Sequence, residues 1–360
     1  MKKVLFFPYH PDLLTLLEYK HNLTGFQICG FSSFKEDAAR VGKLNEAIGA
    51  TGFSYEKMLN ECDCVVMLDN YRGFRVDKYY QVIEDALRLE KEVIVAPSSL
   101  ISLNLNDYDG RYKLLELLPD GIDSFSERYE QDSEVKVYDI KTPIIGVLGL
   151  GKHCGKFNNL LLLKKTLDKD YNAIAIASNA LGALFGCYTY PSFLYGALPF
   201  QEKIVKLNHY IWAIAKAHSP DIMALGVPEG IMPFAKQEYH HFAEYPLVIS
   251  NAVPIDIALL CTYYLYGDIL EAGLQRMIDF CMQRFSIPVG AIAISKTRYE
   301  LPQNENEKVA YEFLSDFFIS RHYPNIDHIR IPISSPLPEH EAEDAIKACI
   351  SLLEKNVKGI

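Results

Sequence analysis

The sequence predicts an α/β protein built from two doubly wound domains, an N-terminal Rossmann-like domain and a larger C-terminal domain of the P-loop NTPase type. Three observations carry this. Short apolar runs alternate with amphipathic stretches of helical period along the chain, the pattern of parallel strands buried on both faces under packed helices. The length of 360 residues exceeds what one ordinary core organises. A polar, acidic stretch over 105–140, containing NDYDGRY and ERYEQDSE, breaks the alternation. The expected division is a first domain over 1–120, a linker over 121–140 and a second domain over 141–360.

In the first domain the run at 3–7 is a buried strand, followed by a helix over 11–19 whose Leu13, Leu14, Leu16 and Leu17 form a broad apolar face. Strands follow at 26–31 and 64–68, then a helix at 77–90 and a strand at 92–96 stopped by Pro97. The first strand runs into PYHPDLL rather than G-x-G-x-x-G, so the dinucleotide fingerprint is absent. His10, Ser32, Ser33, Asp69 and Asn70 stand at strand ends, where such sheets bind ligands and where turn and cap residues also gather.

The second domain opens with a strand at 142–148, a glycine-rich turn and a helix at 158–167. Strands are expected at 171–177, 221–225, 245–251, 257–262 and 289–295. Helices are expected at 203–217, 271–285, 306–320 and 339–355. This is enough for a sheet of six or seven strands.

Composition narrows the function classes. A net charge of −10 argues against a nucleic-acid or anionic-membrane surface as the main partner. No apolar stretch approaches the roughly 18 residues that span a bilayer. The opening MKKVLFFPYHPDLL has too short an apolar run, broken by Pro8 and His10, to act as a signal peptide. A cytoplasmic protein is expected. The eight cysteines are scattered, and the one close pair, Cys62 and Cys64, lacks the second pair of a zinc site. They read as buried, reduced thiols. The stretch EYHHFAE, with His240 and His241, does not match H-E-x-x-H, and no metal site is assigned.

The chemistry concentrates at IIGVLGLGKHCGKFNN, residues 144–159. A phosphate cradle needs glycines that let main-chain N–H groups converge, a helix pointing its positive end at the anion, and a lysine. Gly149, Gly151 and Gly155 supply the first, the helix opening at Asn158 the second, and Lys152 and Lys156 the third. The spacing from Gly149 to Gly155 is one residue longer than in G-x-x-x-x-G-K, and Phe157 stands where a Ser or Thr would hold Mg²⁺. Three readings stay open: binding of a nucleotide such as ATP or GTP or of another phosphate ligand, a degenerate or vestigial P-loop, and a plain strand-to-helix turn. Binding is favoured over efficient turnover, since metal placement matters to phosphoryl transfer.

Other strand ends supply candidates. Glu229, in GVPEGIMPF, is the carboxylate placed most like a Walker-B residue and is the candidate catalytic group, as a base or through a metal-bound water. Asn158 is a candidate metal contact, Asn179 a metal or base contact that reads equally as a helix cap, and Asn251 and Asp256 are candidate base contacts. A different expectation is a small-molecule enzyme with its site in a cleft between the two domains, near Asp69, Asn70, Asn179 and Glu229.

With 149-GLGKHCGKFNN-159, 208-NHYI-211, 226-GVPEGIMPF-234, 250-SNAVPIDIALL-260 and the opening KKVLFFPYHPDLLTLLEYKH, the chain resembles the peptide-maturation-system proteins of clostridial and related Firmicutes over nearly its whole length. That resemblance implies an accessory protein of ribosomal peptide natural-product maturation, with a precursor peptide or a radical SAM maturase as partner. It implies no catalytic residue. An alternative within it is a non-catalytic scaffold for the same partners. Residues 142–260 separately resemble dethiobiotin-synthetase-like P-loop proteins, which share the longer glycine spacing and from which Phe157 departs.

Overall fold

The computed structural model describes residues 1–69, 76–101, 103–119, 137–233, 238–264, 269–301, 304, 309–321, 329–337 and 339–357. The expected linker at 121–140 falls largely outside them, as does Asn70. The chain is α/β throughout, with parallel sheets flanked by helices in two doubly wound units. One unit comprises Met1–Leu117 with Asn179–Thr189, the other Leu118–Ser178 with Tyr190–Ile360. The excursion Asn179–Thr189 into the first unit is not visible as a change in sequence pattern.

The first unit contains β1 (Lys2–Phe7), α1 (Leu13–Glu18), β2 (Phe26–Phe31), α2 (Ala38–Ala47), α3 (Tyr55–Glu61), β3 (Cys64–Met67), α4 (Val76–Arg88), β4 (Glu92–Val95) and the short β5 (Lys113–Leu114). The strands lie in the order β2-β1-β3-β4-β5, all parallel. Helix α4 buries Tyr79, Val82, Ile83 and Ala86, one face at helical spacing. They join Leu5, Phe7, Val65, Met67, Val93 and Val95 in one core. Helices α2 and α3 escape a periodicity reading because they are polar: α2 buries only Val41, Leu44 and Asn45. The buried Asn45 side chain takes the N–H and carbonyl of Phe31 at 2.9 and 3.0 Å, extending the β2 edge.

The second unit contains β6 (Ile144–Gly149), α5 (Lys156–Leu167) and β7 (Ala173–Ala177). The next strand in the chain, β8 (Tyr188–Thr189), falls in the excursion to the first unit. There follow α6 (Phe200–His218), β9 (Ile222–Gly226), α7 (Glu244–Ala252), β10 (Ile257–Thr262), α8 (Ile269–Phe285), β11 (Val289–Ile294), β12 (Thr297–Glu300), β13 (Ala310–Phe313), α9 (Asp316–Arg321), β14 (Ile333–Ser334) and α10 (Glu339–Val357). Six parallel strands of this unit lie in the order β14-β11-β10-β6-β9-β7, while β12 and β13 pair antiparallel as a separate ribbon. Every residue of β6, β9, β10 and β11 is buried, as a central parallel sheet requires. Helix α5 is buried over most of its surface, Asn159 and Thr166 included, because it packs on both the sheet and α10.

Two expectations are corrected. Residues 245–251 form helix α7, not a strand. The β-branched run and Pro246 suggest a strand, but Tyr245, Val248, Ile249 and Ala252 are buried at spacings of a helix, and Pro246 sits in the first turn, where its missing N–H costs nothing. The expected helix at 306–320 is strand β13 followed by the short α9. Tyr311 and Phe313 alternate with Glu312 there, a period of two.

One clamp pins the entry to the second unit. The buried Asn208 of α6 accepts from the Tyr138 N–H at 2.7 Å and donates to the carbonyls of Tyr138 and Ala252, both at 2.9 Å. The Tyr138 ring stacks on Trp212 with centroids 4.2 Å apart. Among the described residues no helix is long and apolar enough to cross a membrane. All eight cysteines are free thiols.

Candidate functional site

Strand β6 stands at the centre of the second sheet. The chain first fills one side of it, with β7 and β9, and then the other, with β10, β11 and β14. Its carboxyl end is therefore a topological switch point, where open α/β sheets bind ligands. The glycine-rich loop 149–156 leaves from that point.

Both neighbouring strands fix the loop's root. Leu150 N–H donates to the Cys261 carbonyl of β10, and Ile231 N–H, just past β9, donates to the Gly149 carbonyl, each at 3.0 Å. Farther out, the buried Tyr263 hydroxyl donates to the Lys152 carbonyl at 2.6 Å, and the Cys154 thiol donates to the Gly151 carbonyl at 3.1 Å. Gly155 ends the loop as the N-cap of α5 at φ 82, a left-handed conformation that favours glycine. A side chain on Gly149 would strike Cys154 and come within 2.7 Å of Lys156 Cδ, so the lysine folds directly over a bare backbone.

Among the described residues, none accepts a hydrogen bond from the main-chain N–H of Gly151, Lys152, Gly155, Lys156 or Asn158. The first N–H groups of a helix have no partner within it, and here they adjoin loop amides in the same condition. A run of such groups at the positive end of a helix is an anion-binding arrangement. Phe157 is buried in the first turn, and the Oδ1 of Asn158 is buried without a hydrogen-bond partner among the described residues.

Glu229 lies against this loop. Its main-chain carbonyl accepts from the Lys156 ammonium, and its carboxylate Oε2 is 3.3 Å from His240 Nδ1. Burial pushes the Glu229 carboxyl up, but the His240 hydrogen bond and the charges of Lys152 and Lys156 outweigh it and bring it down to about 2. Lys152 is also paired with Glu238 at 3.5 Å. The Tyr245 hydroxyl is raised to about 12 by burial and by the nearby charge of Glu229. Burial likewise raises the Cys154 thiol, which makes it a poor nucleophile at neutral pH.

The backbone that brings these groups together is strained. Glu229 has φ 54, and His240, His241, Phe242 and Ala243 have φ 47, 48, 54 and 62. Four successive non-glycine residues in the left-handed region cost roughly 1–2 kcal/mol each. Strain of this kind persists where the surroundings over-determine it, and it gathers at functional sites. Gly230 makes the approach feasible, since a Cβ there would collide with the Leu150 carbonyl and stand 2.5 Å from His240 Cδ2.

Of the candidates named from sequence, Gly149, Gly151, Lys152, Gly155, Lys156, Asn158 and Glu229 come together at this switch point. Two do not. Asp256 accepts from the Ile144 N–H at 2.7 Å, at the amino end of β6 and thus the opposite edge of the sheet, where it fixes strand register. Asn251 is exposed on the last turn of α7, donating to the Leu247 carbonyl at 2.8 Å. Their proposed role assumed that 245–251 was a strand ending at the ligand edge. Asn179 belongs to the first unit, where its Oδ1 accepts from Leu181 N–H at 2.9 Å and its Nδ2 donates to Asp12, so it acts as a cap. Asp69 is held by Ser98 and Ser99 at 2.5 and 3.1 Å.

His240, Glu238 and Tyr263 were missed as site members. His240 lies eleven positions beyond Glu229 and reaches it only through the left-handed turn, which no sequence period announces. Among the described residues no group of three or more metal-ligating side chains could hold an ion alone.

No family model matches the chain, and no curated protein matches it. Among solved structures, the chain is similar in fold to a DUF1611 family protein from Anabaena variabilis ATCC 29413, at TM-score 0.60 and 13% identity, over 98% of this chain and 100% of that one. At that identity the likeness establishes the fold alone. An anabolic ornithine carbamoyltransferase from Campylobacter jejuni subsp. jejuni NCTC 11168 aligns over 98% of this chain and 87% of its own, at 12% identity and a TM-score of 0.20, too low to carry an argument.

Proposed function

We propose that the chain binds a phosphate-bearing ligand on the loop 149–156, with ATP or GTP as the ligand class. The observation that carries this is the set of main-chain N–H groups at Gly151, Lys152, Gly155 and Lys156, which have no acceptor among the described residues and adjoin the positive end of α5. Lys156 and Lys152 supply charge. In this reading Asn158 Oδ1 serves the cation or its water in place of the hydroxyl that Phe157 lacks, and Glu229 is the carboxylate that acts on the ligand. The biological setting proposed is accessory work in ribosomal peptide maturation in the cytoplasm, with a precursor peptide or a radical SAM maturase as partner. The sequence resemblance supports that setting, and the free thiols agree with the compartment.

A thermal-shift panel of nucleotides, with and without Mg²⁺, tests the binding. A ligand at a hundredfold excess over its Kd stabilises the folded form by roughly 2.7 kcal/mol. Stabilisation by ATP or GTP that disappears in Lys156→Ala is the expected result. No stabilisation by any nucleotide at millimolar concentration, with co-purification of the peptide or maturase, would instead make the protein a scaffold.

A further inference from the structure

His240 is a deeply buried neighbour of Glu229. Its residue is 3% exposed, the bare Cα of Gly230 packs on its ring, and it opens the left-handed run His240–Ala243. Two strained backbones, at Glu229 and at His240, are aimed at each other across a 3.3 Å contact. We infer that His240 is a positioning residue for Glu229: its Nδ1–H donates to Oε2 and keeps that carboxylate a fixed anion beside the two loop lysines. The purpose of the pair rests on the phosphate-site reading, but its geometry does not.

The inference deepens the ligand assignment. Among the described residues, Lys152 from the loop and Lys156 from α5 face two carboxylates, Glu229 and Glu238, and so these side-chain charges cancel while Glu229 is ionised. Anionic phosphate in such a site needs compensation beyond the lysines. The ligand is therefore a phosphate that arrives with its own divalent cation, the magnesium complex of a nucleotide rather than the bare polyanion. Among the described residues, the other ionisable groups facing Glu229 are the hydroxyls of Tyr195, of Tyr245 on α7 and of Tyr311 on β13, all negatively charged only far above neutral pH. They do not alter the balance.

The test follows Glu229 and His240 directly. In the full chain with ¹³C-labelled glutamate, the Glu229 carboxyl, identified by its loss in Glu229→Gln, should titrate well below the ordinary carboxylate range. His240→Phe keeps a ring against Gly230 and removes the donor, and it should move that midpoint up by about one pH unit or more. His240→Asn restores an N–H near the Nδ1 position and should bring it back down. In the unmodified protein, ¹⁵N shifts of the imidazole should show Nδ1 protonated at pH 7, a readout that needs no folded variant. A midpoint unmoved in His240→Phe, or a bare Nδ1 in the unmodified protein, overturns the inference. MgADP, and ADP with EDTA, probe the loop separately. If neither binds while the midpoint behaves as expected, the pair stands and the phosphate site falls. If MgADP binds while the midpoint is unmoved, the pair falls alone. ADP that binds as tightly in EDTA as with Mg²⁺ overturns the need for the cation.

Discussion

The ammonium of Lys156 donates to the main-chain carbonyl of Glu229, so the lysine following the last loop glycine is satisfied by the protein's own backbone. On the proposed reading, a ligand phosphate would compete for that ammonium with a neutral oxygen rather than with a carboxylate. The contact orients Lys156 while leaving its charge available.

Lys156→Ala should accordingly weaken nucleotide binding about tenfold or more, the scale of a charge-assisted hydrogen bond, while changing thermal stability little. Isothermal titration with ATP or GTP in the presence of Mg²⁺ measures the first, and calorimetric melting the second. Unchanged affinity would show that the phosphate lies elsewhere.

Glu238 holds Lys152 at 3.5 Å, and the lysine is half exposed, so the pair is worth at most about 1 kcal/mol. Glu238→Gln should release Lys152 and tighten the binding of nucleotide without Mg²⁺ by about two- to fivefold. With Mg²⁺ the gain should shrink, because the cation already offsets the carboxylates. Parallel titrations with and without EDTA read the difference.

Glu229 titrates near 2 in the folded chain against an ordinary 4.5. A depressed folded value stabilises the protein above pH 4.5, and the contribution fades as the pH falls from there through about 2. Glu229→Gln should lower stability at pH 7, by about 3 kcal/mol at most, and should flatten the acid limb of stability against pH. Urea unfolding between pH 2 and 7 checks both parts.

Asn208 uses both of its amide donors and accepts one hydrogen bond on Tyr138 and Ala252 at 1% exposure. Asn208→Leu strands three backbone groups and should destabilise the protein by about 1–3 kcal/mol or more. The midpoint of urea unfolding reports it, and nucleotide affinity should be unaffected at temperatures where the variant is folded.

Much of this architecture was legible in the residues, and the physical reason differs from place to place. The buried parallel strands, such as residues 144–149 and 257–262, announce themselves because both faces are covered and every position is apolar. The loop was legible because glycine is needed where the chain turns left-handed at Gly155 or approaches closely at Gly149. Helix α7 was misread because β-branching and proline are local cues, whereas its fate is decided by burying Tyr245, Val248, Ile249 and Ala252 together. Asn251 and Asp256 were carried off with that error. His240 was illegible as a partner of Glu229 because left-handed backbone at histidine and phenylalanine has no sequence signature.

Cys154 lies inside the loop with no exposed surface, its thiol turned onto the Gly151 carbonyl. An alkylating reagent can reach that sulfur only when the cradle comes apart. The rate at which a small reagent such as iodoacetamide labels it would thus clock the spontaneous openings of the loop, and a resident ligand would slow the clock in proportion to its occupancy.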